Sequence, residues 1–210
     1  MSVKHVAPDQ IETNSLAIIE AEVGDRRPVD GSEWLVLRRL IHASADFELL
    51  DLFRFHPRAV ERGVQALRSG CTVVTDTRMA QCGIPLRRME PLGCTVACFM
   101  GDAATKALAA EQGVTQAAAA VDLACELNPQ IMVVGNAPTA LMRILERIEE
   151  GRLAPALVVG MPVGFVNAAE SKELLLAQDH TPYLSIQGRK GGSPLAAAAV
   201  NALAEIALHG

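Results

Sequence analysis

Apolar positions in the first third of the chain recur at the spacing of an amphipathic helix, and in the remainder they collect into short unbroken runs. Ile11, Ser15, Leu16, Ile18 and Ile19 open a helix that stops near Gly24. A second helix follows Asp30. Trp34, Leu37, Leu40 and Ile41 form its apolar face while Arg38 and Arg39 reach solvent, so it lies on the body of the protein. Pro57 and Gly70 bracket a third helix.

From Cys71 onward strands alternate with helices. Strands are predicted over 71–75, 94–99, 131–134, 156–159 and 183–186, and helices over 102–110, 116–127, 138–149, 168–176 and 194–208. Residues 79–93, with Pro85 and Pro91, form a loop or a short hairpin. This alternation predicts an α/β fold: a three-layer α/β/α arrangement, flavodoxin-like in outline, with a mainly parallel five-stranded sheet and an N-terminal helical segment. A length of 210 residues without a recognisable linker fits one domain over 1–210. Half of the residues are hydrophobic but only 3% are aromatic, so Ala, Leu, Val and Ile build the core.

Composition narrows the partners. A net charge of -5 with no basic stripe argues against nucleic acid, and any anionic ligand must be held locally. The five cysteines form no C-x-x-C pair and are odd in number, which fits reduced thiols in a cytoplasmic protein. No secretory leader is evident, and no apolar run reaches the ~20 residues that span a bilayer, so no membrane partner is expected.

Two stretches share one design: Val133-Val134-Gly135 and Val158-Val159-Gly160 stand 25 residues apart, each a buried strand ending at a glycine ahead of a proline. Such adjacent strand-to-helix turns lie where open α/β sheets bind ligands. The glycine patterns of dinucleotide-binding and phosphate-binding loops are missing, and the histidines His5, His42, His56, His180 and His209 are scattered without metal-ligand spacing, so neither a cofactor nor a protein-bound metal is expected. The turn from Gly188 to Pro194 combines flexible amides with Arg189 and Lys190 and reads equally as an anion pocket or a solvated connection. His42 follows Leu40 and Ile41 and should be partly buried, with Asp46 placed to orient its ring. A plain hydrogen-bonded histidine is the simpler alternative. For Ser171 and Lys172 the simpler reading is a solvated helix face.

The segments VGNAPTAL at 134–141, GMPVGFV at 160–166, AAESK at 168–172 and GRKGGS at 188–193 together resemble, in order and spacing, the signature of the precorrin-8X methylmutase (precorrin isomerase) family. SLAII at 15–19, RLIHA at 39–43 and residues 76–83 extend the resemblance over nearly the whole chain. It implies a cobalamin-pathway isomerase that moves a methyl group from C-11 to C-12 of precorrin-8, or cobalt-precorrin-8, to give hydrogenobyrinate or cobyrinate. It also implies a homodimer with the active site at the interface, and no cofactor.

The same resemblance makes His42 the catalytic proton donor and sets Ser15, Ser171 and Lys172 against the corrinoid tetrapyrrole substrate. Arg87, Arg88, Arg189 and Lys190 would meet its rim carboxylates, as would backbone amides at Gly135, Asn136, Ala137, Gly164 and Phe165. Two positions depart from the pattern: Gln116 stands where an arginine is expected, and Glu12 where an aromatic is expected. An acidic side chain there should repel a polycarboxylate, which keeps a non-catalytic corrinoid carrier in view. An unrelated phosphate binder using the 188–193 turn is a third reading.

Overall fold

In the computed structural model residue 7 and residues 10–210 are described, so His5 falls outside them. Short Val- and Ile-rich runs become strands because they can be buried on both faces of a sheet. The strands are β1 (Phe53–Phe55), β2 (Thr72–Thr75), β3 (Thr95–Ala97), β4 (Ile131–Val134), β5 (Leu157–Gly160) and β6 (Tyr183–Ile186). Side chains alternate across the sheet. Val73, Ile131, Val133, Leu157 and Val159 enter one core, whereas Val74, Met132, Val134 and Val158 enter the other.

The sheet has six strands, in the order β1-β6-β5-β4-β2-β3, rather than the five expected. β2 to β6 are mutually parallel, and the additional strand β1 runs antiparallel to β6 with Phe53 opposite Ile186. Three residues, Phe-Arg-Phe, are too few to show a period of two, which is why the segment was expected to be part of the helical third. The strand covers the edge that β6 would otherwise leave open.

One face of the sheet is covered by α2 (Gly31–Ser44), α4 (Ala59–Arg68) and α11 (Ser193–His209), with α1 (Ile11–Val23) against α2. Ala196, Ala199, Val200, Leu203 and Ala204 of α11 have no exposed surface, so this alanine-rich helix sits close to the strands. The other face carries α8 (Gln116–Cys125), α9 (Pro138–Glu149) and α10 (Ala168–Ala177), with α7 (Ala103–Gln112) outside α8. α3 (Leu49–Leu52) is a single turn leading into β1.

Residues 79–93 are neither loop nor hairpin. They fold as α5 (Arg78–Gly83), α6 (Leu86–Met89) and a 3-10 turn over Glu90–Leu92. Thr77 caps α5 by accepting the Ala80 N–H at 3.0 Å, and buried Ala80, Ile84 and Met89 tie the segment to the core. Cys71 and Cys94, placed just before the paired starts of β2 and β3, are buried free thiols with Sγ atoms 3.8 Å apart.

Candidate functional site

The carboxyl ends of β2 and β4 lie side by side, while the chain leaves β2 toward β3 on one side and β4 toward β5 on the other. Such a reversal opens a crevice in a doubly wound sheet. Here its floor is occupied by the protein's own Asp76, just past β2. Its carboxylate accepts the N–H groups of Gly135 at 2.9 Å, Asn136 at 2.8 Å and Ala137 at 2.8 Å. Burial pushes this carboxyl above its ordinary range, against the pull of the three amides. The expectation that these amides receive substrate carboxylates is therefore corrected, because an internal anion already uses them. The Asn136 side chain remains exposed above the crevice.

The Gly135 turn also sets how closely α11 approaches. A Cβ at Gly135 would lie 2.5 Å from Ser193 Cα, so only glycine fits, and Thr77 Oγ1 meets Ser193 Oγ at 2.7 Å beside it.

Beyond β5 and β6, residues 161–166 and 187–193 form two loops joined through their backbones. Gly192 N–H donates to Met161 O at 2.9 Å and Gly164 N–H to Arg189 O at 3.3 Å. A Cβ at Gly191 would meet Met161 O at 2.2 Å. The Gly164 amide is thus also taken, and of the five amides expected to bind anions only that of Phe165 has no partner among the described residues. Phe165 itself is 84% exposed, with the Arg189 guanidinium 5.4 Å from its ring centre.

Beneath these loops the expected solvated face of α10 is instead buried at Ser171 and Lys172. Ser171 Oγ donates to Ala168 O at 3.2 Å, an internal contact. Lys172 Nζ donates to Lys190 O at 2.7 Å, and burial lowers its pKa to about 8. Both side chains make these bonds to the protein's own backbone. Lys190 Nζ is engaged in turn by Asp46 at 2.5 Å and Glu48 at 2.7 Å. Asp46 therefore turns to Lys190, and the expectation that it orients His42 is corrected.

His42 occupies the last turn of α2, half-buried, and its ring makes no hydrogen bond among the described residues. Three residues earlier on the same helix, Arg39 bonds Glu12 and, at 3.1 Å, Glu205 of α11. Arg88 of α6 reaches the same Glu205 oxygen at 3.1 Å. Arg38 is likewise paired, with Glu20, so the two arginines expected to reach solvent are tied down. The hydrogen bond from Arg39 holds the Glu12 carboxyl below its ordinary range despite partial desolvation. A cleft of about 380 Å³ opens here between Glu12, Leu16, Leu35, Arg38, Arg39 and Glu205.

Ser15, half-buried on α1, donates its Oγ to Ile11 O at 2.8 Å, while Arg87 is exposed on α6. Gln116 is exposed at the start of α8, next to Thr115, whose Oγ1 caps that helix and bonds Thr139 Oγ1 at 2.9 Å. The candidate residues thus fall into a loop group around Asn136, Phe165 and Arg189 and a helix group around His42 and Arg88. The salt bridges of Lys190 to Asp46 and Glu48 join the two groups. Sequence reasoning passed over Asp76, Arg39 and Glu205. A carboxylate directly after a parallel strand was the one available signal, and it points to Asp76.

Comparison with known proteins gives one consistent result. The precorrin-8X methylmutase family profile matches residues 10–206. The cobalt-precorrin-8 methylmutase of Leptospira interrogans is 41% identical, over 92% of this chain and 91% of its own length. The precorrin-8X methylmutase of Pseudomonas aeruginosa is 45% identical, over 79% and 80%. The crystal structure of precorrin-8x methyl mutase from Thermus thermophilus superposes with a TM-score of 0.87 at 40% identity, covering 95% of this chain and 96% of that one. On this family match and these relatives, the chain belongs to the precorrin-8X methylmutase family.

Proposed function

We propose that this protein is an isomerase of cobalamin biosynthesis that moves a methyl group from C-11 to C-12 of precorrin-8 or cobalt-precorrin-8, giving hydrogenobyrinate or cobyrinate. The observation that carries this reading is the match of residues 10–206 to one family, whose relatives are named for the reaction with and without cobalt. Any cobalt belongs to the substrate.

A methyl shift within one molecule exchanges no electrons with its surroundings. The protein must hold a rigid macrocycle and supply a proton where the rearranged conjugation needs it. His42 is the donor in this reading, because its half-buried ring is uncommitted and available to a ligand. A positioned general acid of this kind contributes roughly 10²- to 10⁴-fold in rate. Phe165 offers an apolar surface to a ring face, while Arg189, Arg87 and Asn136 reach for rim carboxylates; Ser15 borders the helix side. Arg39 and Arg88 add two cations beside His42, presently matched by Glu12 and Glu205.

A second copy of the chain completes the site in this reading, covering exposed Ile11, Ile18, Met79 and Leu86. The parallel strands, counted among themselves, run 2-1-3-4-5 across the sheet, the order of flavodoxin, which supports a flavodoxin-like single domain over 1–210. The pairing of Glu12 with Arg39 removes one of the two reasons for a carrier that binds without turnover.

Purified protein given precorrin-8 or its cobalt form should change the absorption spectrum as conjugation shifts. His42→Ala should abolish the change with circular dichroism unaltered, and full activity in that variant would remove His42 from the mechanism. Binding of hydrogenobyrinate with no turnover of either substrate would favour the carrier. Sedimentation as a monomer at working concentration would rule out the shared site.

A further inference from the structure

Lys190 is held at both ends. Its carbonyl accepts the Lys172 ammonium at 2.7 Å, and its own Nζ bonds Asp46 Oδ2 at 2.5 Å and Glu48 Oε2 at 2.7 Å. Lys172 is 1% exposed and has no carboxylate partner among the described residues, so its one visible task is to fix the backbone at Lys190. That backbone is already confined, because Gly191 packs directly on Met161 O.

At the other end stands the turn that closes α2. Ala45 takes a left-handed conformation with φ of 53°, and its N–H bonds Ile41 O at 2.8 Å. A residue with a side chain holds that conformation only when its surroundings support it. Asp46 supplies the support: its N–H donates to Ser44 Oγ at 3.3 Å, and its Oδ1 accepts the Glu48 N–H at 3.0 Å. Lys190 then fastens Asp46 to the loop.

We propose that Lys190 is a positioning residue for His42 rather than a contact for substrate carboxylates. Pinned by Lys172 from α10, it fixes the turn after Ser44 and thereby the direction in which the last turn of α2 presents the imidazole. Charge supports this assignment, since one ammonium between two carboxylates leaves the trio net negative and repels an incoming carboxylate. The inference rests on the reading of His42 as proton donor.

The test compares wild type, Lys190→Met, Lys190→Arg and Asp46→Asn by steady-state kinetics. Side-chain NMR follows the His42 imidazole, identified by its loss in His42→Gln. Lys190→Met and Asp46→Asn should lower kcat about tenfold or more with KM changed less than about twofold, since small displacements of a reacting group are costly. The His42 cross-peaks should move in both variants, and Lys190→Arg should restore rate and peak positions together. A raised KM at full kcat with the cross-peaks unmoved would make Lys190 a substrate contact and overturn the proposal, as would wild-type behaviour of Lys190→Met. Should wild type fail to turn over either substrate, the functional reading falls on that result alone, and the cross-peaks still report whether Lys190 positions His42.

Discussion

The carboxylate of Asp76 accepts the amide of Gly135 at 2.9 Å across the gap between β2 and β4. Together with the bonds from Asn136 and Ala137 it satisfies three N–H groups of the turn that leads from β4 into α9, the last of them at the cap residue of the helix. Asp76→Ala would leave these amides without an acceptor. At about 1 kcal/mol or more for each of the two buried donors, Gly135 and Ala137, urea unfolding should show a loss of about 2 kcal/mol or more. A loss below about 0.5 kcal/mol would mean that water replaces the carboxylate at no cost.

Lys172 gives the protein a pH dependence of defined sign. Its folded pKa, about 8, lies below the 10.5 of an unhindered lysine because burial penalises the ammonium. The unfolded chain therefore binds more protons between those values, and stability rises with pH across that window. The penalty is complete below about pH 8 and gone above about 10.5, with an amplitude of about 3 kcal/mol. Measured against Lys172→Met, wild type should gain stability over this interval, and parallel pH profiles for the two proteins would contradict the assignment.

On the far face of the sheet, Asp122 of α8 is shared by Arg143 and Arg147 of α9 at 2.7 and 2.6 Å. Burial alone would raise this carboxyl, but the two guanidiniums outweigh it and hold the pKa below the usual carboxylate range. The stabilisation is present above about pH 4, the ordinary carboxylate pKa, and is lost as pH falls through the lower folded value. Asp122→Asn, which leaves buried Arg147 with Glu150 and half-buried Arg143 with Glu146, should cost about 1–3 kcal/mol at neutral pH. The variant should also lose the acid-dependent component of unfolding that wild type shows.

In the proposed site Glu12 would compete with a substrate carboxylate for Arg39, with which it is paired. Glu12→Gln leaves Glu205 as the one carboxylate paired with Arg39 among the described residues and loosens the hold on a guanidinium three residues from His42, so KM for a polycarboxylate corrinoid should fall severalfold with kcat retained. An unchanged KM accompanied by a lower melting temperature would instead show that Glu12 serves only to tie α1 to α2.

Much of this arrangement was legible in the sequence because it is written in local pattern. The β4 and β5 runs, the glycine and proline that follow each, and the amphipathic α9 announce themselves within a dozen residues. What escaped was pairing between distant residues. No local signal shows that Asp76 meets residues 135–137, or that Lys190 meets Asp46. Lys172 misled for the same reason, since a Glu-Ser-Lys run looks solvated until the 188–193 loop closes over it. The strand β1 was lost to brevity, and the helices of residues 79–93 were hidden by their prolines.

The fit of Gly191 against Met161 O and of Gly135 against Ser193 bears on how this enzyme can be altered. The spacing of the loops is set by main chain touching main chain, a dimension that no exchange of side chains in the cleft will change. Width and chemistry are therefore separable. Asn136, Phe165 and Arg189 all project from that fixed frame into solvent. If these three residues meet the macrocycle as proposed, substitutions there should retune which of its peripheral groups are accepted, while the size of ring admitted stays the same.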